Sequence, residues 1–307
     1  MIALESARHQ LIEHGLLGNQ AGSFGSSDEL MLISAGPASY LSEFSLLCGP
    51  ATTRVIVRQP SRDDLPSAEK HSPLSGETRI EEGFQFKFQR EIWNGDAWEE
   101  DCSIFDFSLA DGLRELCPAS EVPFPSPSTN ETPFKNPFWA GALAYDLLQM
   151  TQPIRLQNLP EKDDLLCVVW EVNRCVVHLK NEDRLVVMST DSEWQVKSER
   201  CLKDEPLQSF TPELTYGKRP VSNCTDEEHE NIVKTVQESI VDGQLYQLNY
   251  GRSWEGEIAT EPWHVFSHSV ASNPAPYSGF LHMEDEGFAL VSASPESLLS
   301  TEEGCLL

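Results

Sequence analysis

The sequence predicts an α+β fold that is rich in antiparallel strands and flanked by helices. A short apolar run at residues 29–34 ends in Ala-Gly-Pro, which is typical of a buried strand that meets a turn. Two Val- and Leu-rich runs within residues 174–188 flank an Asn-Glu-Asp tripeptide and indicate an antiparallel hairpin. Thr225 and Glu228 have the spacing of a capping box, which predicts the start of a helix.

The first 148 residues combine strands with loops. Residues 53–58 are a second strand candidate because four of the six favour extended structure. The segments 59–76 and 118–133 are rich in Pro and Ser, so we predict exposed loops there. Residues 136–148 interleave small residues with aromatic ones, which indicates close packing of the backbone.

The second half adds a linker and a further set of elements. Residues 193–223 are polar and end in a Pro-containing stretch, so we predict a domain linker there. The helix that starts at Thr225 has an apolar face formed by Ile232, Val233, Val236 and Ile240. The other predicted elements are strands at 164–172, 244–254, 278–283 and 288–293 and a short helix at 262–270.

The chain is strongly acidic. It contains 49 Asp and Glu against 22 Lys and Arg, a net charge of −27. Such a field repels nucleic acid and anionic membrane surfaces, so we predict neither as a partner. No apolar run of roughly 18 residues occurs, and the N-terminus lacks a basic region followed by an apolar core. These observations predict a soluble, cytoplasmic protein.

The eight cysteines are scattered singly and form no C-x-x-C pair. Their spacing is not that of a zinc-finger site. We therefore predict buried free thiols and no metal site built from them.

Three short motifs carry the candidate binding residues. In the predicted strand at 244–254, alternation places Gln247 and Asn249 on one face, where two amides either line a polar cleft or satisfy neighbouring backbone groups. Two prolines stiffen the segment 273–277, which is either plain punctuation or a ligand contact. Glu296 follows a strand, where its carboxylate either accepts hydrogen bonds from a turn or faces a cleft.

These motifs occur in a recognisable order: Tyr-Gln-Leu-Asn at 246–249, Asn-Pro-Ala-Pro-Tyr at 273–277 and Ser-Pro-Glu-Ser-Leu-Leu at 294–299. The series resembles the opening of the catalytic domain of chorismate-utilising enzymes. The segment Pro-Phe-Trp-Ala-Gly-Ala-Leu-Ala-Tyr-Asp-Leu at 137–147 is similar to the aromatic, glycine-rich part of that family's N-terminal domain. The resemblance implies an antiparallel β-rich, two-lobed chorismate-binding enzyme fold that is incomplete at the C-terminus.

The resemblance also implies a domain organisation. Residues 1–192 correspond to the N-terminal domain of anthranilate synthase component I, and residues 193–223 are the linker. Residues 224–307 are the start of the catalytic domain. Truncation there is expected to leave this last part loosely packed, with apolar side chains in water; the expected ones are Trp254, Phe266, Phe280 and Phe288.

Within the family, Asn249 and Ala275 favour component I of aminodeoxychorismate synthase, which converts chorismate and ammonia to 4-amino-4-deoxychorismate for para-aminobenzoate and folate synthesis. The alternative is component I of anthranilate synthase, in tryptophan biosynthesis. Ser278 stands where anthranilate synthases usually carry Met, which favours the first reading.

A third reading is a non-catalytic tryptophan-binding module. The family's N-terminal domain often binds tryptophan between a short Leu-rich segment that ends in Ser and the Asn-Pro-x-Pro-Tyr turn. By this resemblance the contacts would be Ser34, Asn273, Pro274 and Tyr277.

The resemblance implies Mg²⁺ as cofactor, chorismate as substrate and a glutamine amidotransferase subunit as the source of ammonia. In the family the basic substrate-binding motif, the nucleophilic lysine and the metal-binding glutamates follow Ser-Pro-Glu, so we expect no catalytic residue in this chain. Residues 242–307 contain one cation, Arg252, against ten acids. Because an uncompensated buried charge is costly, this segment is not expected to hold dianionic chorismate alone.

Overall fold

The computed structural model describes residues 2–35, 44–59, 86–106, 108–118, 137–148, 164–204, 217–297, 301–302 and 305–306. The chain divides into two compact units, Met1–Phe210 with Ser269–Leu307 and Thr211–His268. Most of the two predicted loops, 59–76 and 118–133, lies outside the described residues.

The described helices are α1 (Ile2–Glu13), α2 (Leu109–Leu116), α3 (Ser192–Asp204), α4 (Asp226–Val241) and α5 (Pro262–Ser272). Short 3-10 turns cover Gly18–Gln20 and Tyr145–Leu147. The described strands are β1 (Glu29–Ile33), β2 (Phe44–Cys48), β3 (Thr53–Arg58), β4 (Phe86–Trp93), β5 (Trp98–Asp106), β6 (Phe138–Leu143), β7 (Leu165–Val172), β8 (Arg174–Leu179), β9 (Arg184–Ser189), β10 (Val221–Ser222), β11 (Trp254–Glu255), β12 (Tyr277–Met283), β13 (Phe288–Ser294), β14 (Thr301–Glu302) and β15 (Cys305–Leu306).

Two antiparallel sheets form the larger unit. In the part of the chain that the structure describes, six strands are ordered β13-β12-β1-β2-β8-β9 and five are ordered β5-β4-β3-β7-β6. The hairpin predicted from residues 174–188 is confirmed as β8 and β9, and its turn holds Asp183 at a φ of 48°. The strands predicted at 29–34, 53–58, 164–172, 278–283 and 288–293 are also confirmed.

The main core lies between the two sheets. The six-stranded sheet contributes Leu30, Leu46, Cys48, Cys175, Val177, Leu281 and Met283, and the five-stranded sheet contributes Ile56, Val168, Trp170 and Val172. Both sheets are covered on the outside, by α1 and α3 on the first and by α2 on the second. A second buried cluster lies under α2. The fold is therefore a β-sandwich with helical outer layers.

Close backbone packing of the 136–148 segment is confirmed at Gly141. A Cβ built there would lie 1.9 Å from the carbonyl oxygen of Val168 on β7, the strand that pairs with β6. Only glycine fits this position without displacing the strand.

The linker prediction is wrong for residues 193–204, which belong to α3. Trp194 and Ser198 are fully buried, and the Trp194 indole donates a hydrogen bond to the Leu16 carbonyl at 2.9 Å. Asp191 caps the helix, because its carboxylate accepts hydrogen bonds from the backbone of Glu193 and Trp194. The helix is largely polar apart from one buried stripe, so its composition resembles that of a linker.

The C-terminal strands belong to the same sheet as the first strand of the chain. All five residues of β1 pair with β12, from Glu29 opposite His282 to Ile33 opposite Ser278. Phe280, which lies opposite Met31 in this pairing, is buried, at 1% exposure, where the sequence predicts it in water. Phe266 is also buried, in ring contact with Trp263, so that prediction is wrong as well. Trp254 and Phe288 are exposed as expected.

A buried ion cluster ties the β12–β13 turn into the larger unit. The Arg54 guanidinium, 1% exposed, donates to Asp28 at 3.0 Å, to Glu91 at 2.6 Å and to Asp285 at 2.5 Å, and it stacks on the Trp98 ring. Burial alone would lower the pKa of Arg54, but the hydrogen bond to Asp285 and the attraction of Asp28 and Glu91 raise it. Burial raises the pKa of Asp28 against the opposing effect of Arg54.

The smaller unit is built around α4. The predicted capping box is confirmed: the Thr225 hydroxyl accepts from the Glu228 backbone at 3.2 Å, and the Glu228 carboxylate accepts from the Thr225 backbone at 2.8 Å. None of the α4 residues is buried. The apolar face formed by Ile232, Val233, Val236 and Ile240 is thus half-buried to exposed.

Candidate functional site

Ser34 follows β1 and lies against the turn that precedes β12. Its hydroxyl donates a hydrogen bond to the Pro276 carbonyl at 3.0 Å. The Ala35 backbone donates to the Ala275 carbonyl, also at 3.0 Å. The structure therefore brings Ser34 and the 273–277 turn together, because β1 and β12 are paired and both lead into this region.

A residue of β2 and the residue that follows β8 hold the backbone of Ser34. Its N–H donates to the Ser45 hydroxyl on β2 at 3.0 Å. Its carbonyl accepts from the Lys180 ammonium, at the end of β8, at 2.8 Å. Burial lowers the pKa of Lys180. Ser34 is thus held by β2, by β8 and by the turn, so its position is set by the sheet.

The turn itself presents its polar side chain to solvent. Asn273 and Pro274 are exposed, and Tyr277 is half-buried. The Ser278 hydroxyl donates to the Ala275 carbonyl at 3.1 Å and closes the turn from its buried side. Contact of Asn273, Pro274 and Tyr277 with a ligand stays a prediction, and the geometry leaves these side chains accessible for it.

An apolar surface adjoins Ser34. Leu32 lies opposite Gly279, which in turn lies opposite Ser292, so Leu32 and Tyr277 share a face of the sheet. Leu32 is 43% exposed and Leu290, on the same face, is 41% exposed. A Cβ at Gly279 would contact the Leu32 side chain at 3.6 Å, so the glycine leaves the surface open. We call Leu32, Gly279 and Leu290 the Leu32 shelf.

The predicted strand at 244–254 is wrong except at its last residue. Residues 244–253 have no regular structure, and only Trp254 and Glu255 pair, with Val221 and Ser222. Gln247 and Asn249 are exposed in this irregular segment. Their place in a substrate cleft therefore stays a prediction, and strand alternation no longer supports a common face.

Glu296 lies in a bend just after β13 and is exposed. Its backbone N–H donates to the Ser294 hydroxyl at 3.5 Å, and that hydroxyl donates to the Glu296 carbonyl at 3.0 Å. These two hydrogen bonds therefore involve the backbone of Glu296. That its carboxylate faces a substrate cleft stays a prediction.

Arg252 is engaged within the smaller unit. It donates to the Asp226 carboxylate at 2.6 Å, to the Ser222 hydroxyl at 2.7 Å and to the Cys224 carbonyl at 2.8 Å, and it stacks on Trp254. A substrate carboxylate would have to displace these partners. Arg252 thus holds β10, β11 and the start of α4 together.

Sequence reasoning missed Lys180 and the Leu32 shelf. Lys180 donates a hydrogen bond to the carbonyl of Ser34, which is far away in sequence. Leu32 lies opposite Gly279 only because β1 pairs with β12. No local sequence pattern predicts such contacts, because the topology of the sheet determines which strands pair. The one local signal was Gly279 inside an apolar strand, which indicates a close approach.

In the described ranges, no group of three or more His, Cys, Asp or Glu side chains is arranged to hold a metal ion. Those residues therefore do not fit the Mg²⁺ that the resemblance implies. Likewise, none of the helices within these ranges is long and apolar enough to cross a membrane.

Comparison with known proteins identifies relatives along most of the chain. Residues 77–307 match the chorismate binding enzyme family. Anthranilate synthase component 1 of Buchnera aphidicola subsp. Pemphigus spyrothecae is 26% identical over 212 residues, which cover 66% of this chain and 38% of that protein. Anthranilate synthase component 1 1 of Haloarcula marismortui is 39% identical over 98 residues, 32% of this chain and 18% of that protein.

The fold has a solved counterpart. Anthranilate synthase component I from Streptococcus pneumoniae superposes with a TM-score of 0.52 at 16% sequence identity, covering 88% of this chain and 54% of that one. This likeness confirms the predicted antiparallel fold class. The chain thus spans about half of the solved relative and less than half of the Buchnera protein. With a match over residues 77–307, the chain belongs to the chorismate binding enzyme family.

Proposed function

We propose that this chain is part of an anthranilate synthase component I, which converts chorismate and ammonia to anthranilate. The observation that carries the proposal is the family match over residues 77–307 together with relatives that bear this name. Gln247, Asn249 and Glu296 are the chain's proposed contributions to the substrate cleft. A glutamine amidotransferase subunit would supply the ammonia, and Mg²⁺ would be held by residues other than those described.

The engagement of Arg252 supports a role that depends on further polypeptide. Chorismate carries two carboxylates, and the segment with the family motifs has this one cation, already hydrogen-bonded to Asp226. We therefore propose that residues beyond this chain bind the substrate carboxylates.

A fusion tests both points. Residues 1–307 are joined to the remaining C-terminal part of the Haloarcula relative and supplied with chorismate, Mg²⁺ and ammonium. We expect anthranilate, detected by its fluorescence, from the fusion and no product from residues 1–307 alone. Turnover by the 307-residue chain would contradict the need for further polypeptide.

A pair of fusions tests whether the chain belongs to the anthranilate or the aminodeoxychorismate branch. Asn249, Ala275 and Ser278 favour aminodeoxychorismate synthase component I, whereas the names of the relatives favour anthranilate synthase. The residues after Ser-Pro-Glu come from the Haloarcula part of the first fusion, so a second fusion, to the corresponding part of an aminodeoxychorismate synthase component I, is needed; turnover by the second fusion and not by the first would select the former. In the active fusion, Asn249→Ala should raise KM for chorismate if Asn249 contacts substrate, with Asn231→Ala on exposed α4 as the control.

A second candidate function is tryptophan binding at Ser34. The contact between Ser34 and Pro276 and the exposed apolar surface of the Leu32 shelf favour it, because an amino acid needs polar partners for its charges and an apolar surface for its ring. Calorimetry with tryptophan tests it. We expect binding that Ser34→Ala and Asn273→Ala weaken and that Ser278→Ala, which loosens the same turn from the buried side, retains. Absence of heat at high tryptophan would contradict this function and leave the enzymatic one standing.

A further inference from the structure

Cys48 and Cys175 lie directly opposite each other on the paired strands β2 and β8. The next pair along, Gly49 and Arg174, is hydrogen-bonded, with the Gly49 N–H 2.7 Å from the Arg174 carbonyl oxygen. Hydrogen-bonded and non-hydrogen-bonded pairs alternate along an antiparallel ladder. Cys48 and Cys175 are therefore a non-hydrogen-bonded pair, the type in which facing side chains approach most closely.

This pairing suits a disulfide. The Cα atoms of a non-hydrogen-bonded pair are about 4.5 Å apart, within the range of about 4.4–6.8 Å that a disulfide spans. Both side chains point into the core between the two sheets. Of the seven cysteines whose side chains the structure describes, only these two share a register position; Cys102 lies opposite Arg90, and Cys167 lies opposite Val57.

The two thiols are buried. Burial raises the pKa of Cys175 to about 12, and burial followed by the neighbouring Cys175 raises the pKa of Cys48. Because the thiolate is the reactive form, the pair is slow to react at neutral pH. A small, partly open cavity borders Cys48 and is also lined by Gly49, Ala51 and Asp28. The cavity is too small to admit a hydroperoxide, so oxidation of Cys48 requires transient opening of the two sheets.

We propose that Cys48 and Cys175 are a site of reversible oxidation, at which a small hydroperoxide forms an intrachain disulfide. With hydrogen peroxide, the Cys48 thiolate attacks one peroxide oxygen, the O–O bond breaks, and a sulfenic acid and water form. The Cys175 thiolate then attacks the sulfenic sulfur, the S–S bond forms, and a second water leaves. Two thiols are oxidised by two electrons and one peroxide is reduced to two waters.

The cross-link would join two parts of the six-stranded sheet. It would tie β2 to β8 and close the intervening residues 49–174 into a loop in the unfolded chain as well as in the folded one. A closed loop restricts the unfolded state and so stabilises the fold. It would also fasten together the two strands that supply Ser45 and Lys180 to Ser34.

Peptide mapping of the folded full chain tests the site. The protein is treated with graded hydrogen peroxide, blocked with N-ethylmaleimide and digested without reductant. We expect one major linked peptide pair, Cys48 with Cys175, two hydrogens lighter than the free thiols and released by dithiothreitol. The oxidised protein should unfold about 5–10 °C higher than the reduced protein.

Variants complete the test. Cys48→Ala and Cys175→Ala should each abolish the cross-link and the shift in unfolding temperature, whereas Cys201→Ala, also at a buried cysteine, should keep both. Circular dichroism of the reduced variants shows that each remains folded. Peroxide that leaves the two thiols free in the folded wild-type protein, or that links Cys117 to Cys167 instead, would overturn the proposal.

Discussion

Arg54 is a single cation that pairs with three carboxylates, so the cluster depends on its guanidinium. Asp28, Glu91 and Asp285 come from three separate stretches of chain and meet only at its guanidinium. The planar donor fork of arginine serves several carboxylates at once, which lysine cannot do. Loss of the guanidinium would leave the buried Asp28 charge without compensation.

We therefore predict that Arg54→Met lowers the free energy of unfolding by about 3–5 kcal/mol, the usual cost of removing one partner from a buried ion pair. Urea denaturation followed by circular dichroism measures it. Arg58→Met is the matched control, since Arg58 pairs with Glu286 near the surface and should cost about 1 kcal/mol or less. Equal losses in the two variants would contradict a special role for the buried cluster.

Asp28 gives this cluster a pH dependence of known sign. Its pKa is raised above 3.8 by burial, so the folded protein holds this proton more tightly than the unfolded chain. The stability contributed by the protonated form is present below about pH 3.8 and is lost as pH rises through the folded pKa. The stability of the wild type relative to Asp28→Asn should therefore fall as pH rises from about 4. Urea unfolding of both proteins across pH measures this difference in stability. A wild type that becomes more stable relative to Asp28→Asn as pH rises would contradict this assignment.

At the scale of elements, α4 depends on its own ends more than on packing. It contains no buried residue, so its capping box supplies a larger share of its stability than a cap does in a packed helix. The hydrogen bonds from Thr225 lower the pKa of Glu228, which keeps that carboxylate charged at the helix start.

Thr225→Ala should destabilise α4 by about 1 kcal/mol through loss of the cap. Amide hydrogen exchange of residues 226–241 reports the change locally. Thr235→Ala is the same substitution in the middle of the exposed helix, where alanine favours helix, so exchange there should slow slightly. Faster exchange in both variants would show that α4 is held by contacts other than its cap.

Local signals predicted most elements because their causes are local. The capping box at Thr225 and the hairpin around Asp183 are each determined by residues close in sequence, and each is confirmed. The helix α3 was missed because its buried positions are Trp194, Ser198 and Cys201, a stripe at helical spacing with one polar member. The prediction of a strand at 244–254 was wrong because a segment with a β-rich pattern forms a strand only where a partner strand is available.

The candidate site was predictable only in part. The contact between Ser34 and the 273–277 turn was anticipated by resemblance, whereas Lys180 and Leu32 reach the site through pairings that no short pattern encodes. The exposure of Phe280 was predicted wrongly because the order of strands in the sheet, and not the strand itself, decides what covers it.

At the scale of the whole molecule, the net charge of −27 opposes folding through mutual repulsion. Salt shortens the range of this repulsion, to roughly 3 Å at 1 M. The thermal midpoint should therefore rise with KCl between 0.05 and about 1 M. Calorimetric scans measure it, with sucrose as an uncharged control for water exclusion. A midpoint that falls with KCl would show that attractive ion pairs such as those of Arg54 outweigh the repulsion.

The pairing of β1 with β12 fixes the order in which the protein can be completed during its synthesis. β1 leaves the ribosome before its partner β12, which lies more than 240 residues further along the chain. At about 5–20 residues per second, the interval is on the order of tens of seconds. Throughout that interval one edge of β1, with Leu30, Met31 and Ile33, is open to wrong pairing. Chaperones that bind extended apolar segments on nascent chains should therefore associate with this N-terminal strand until β12 has emerged.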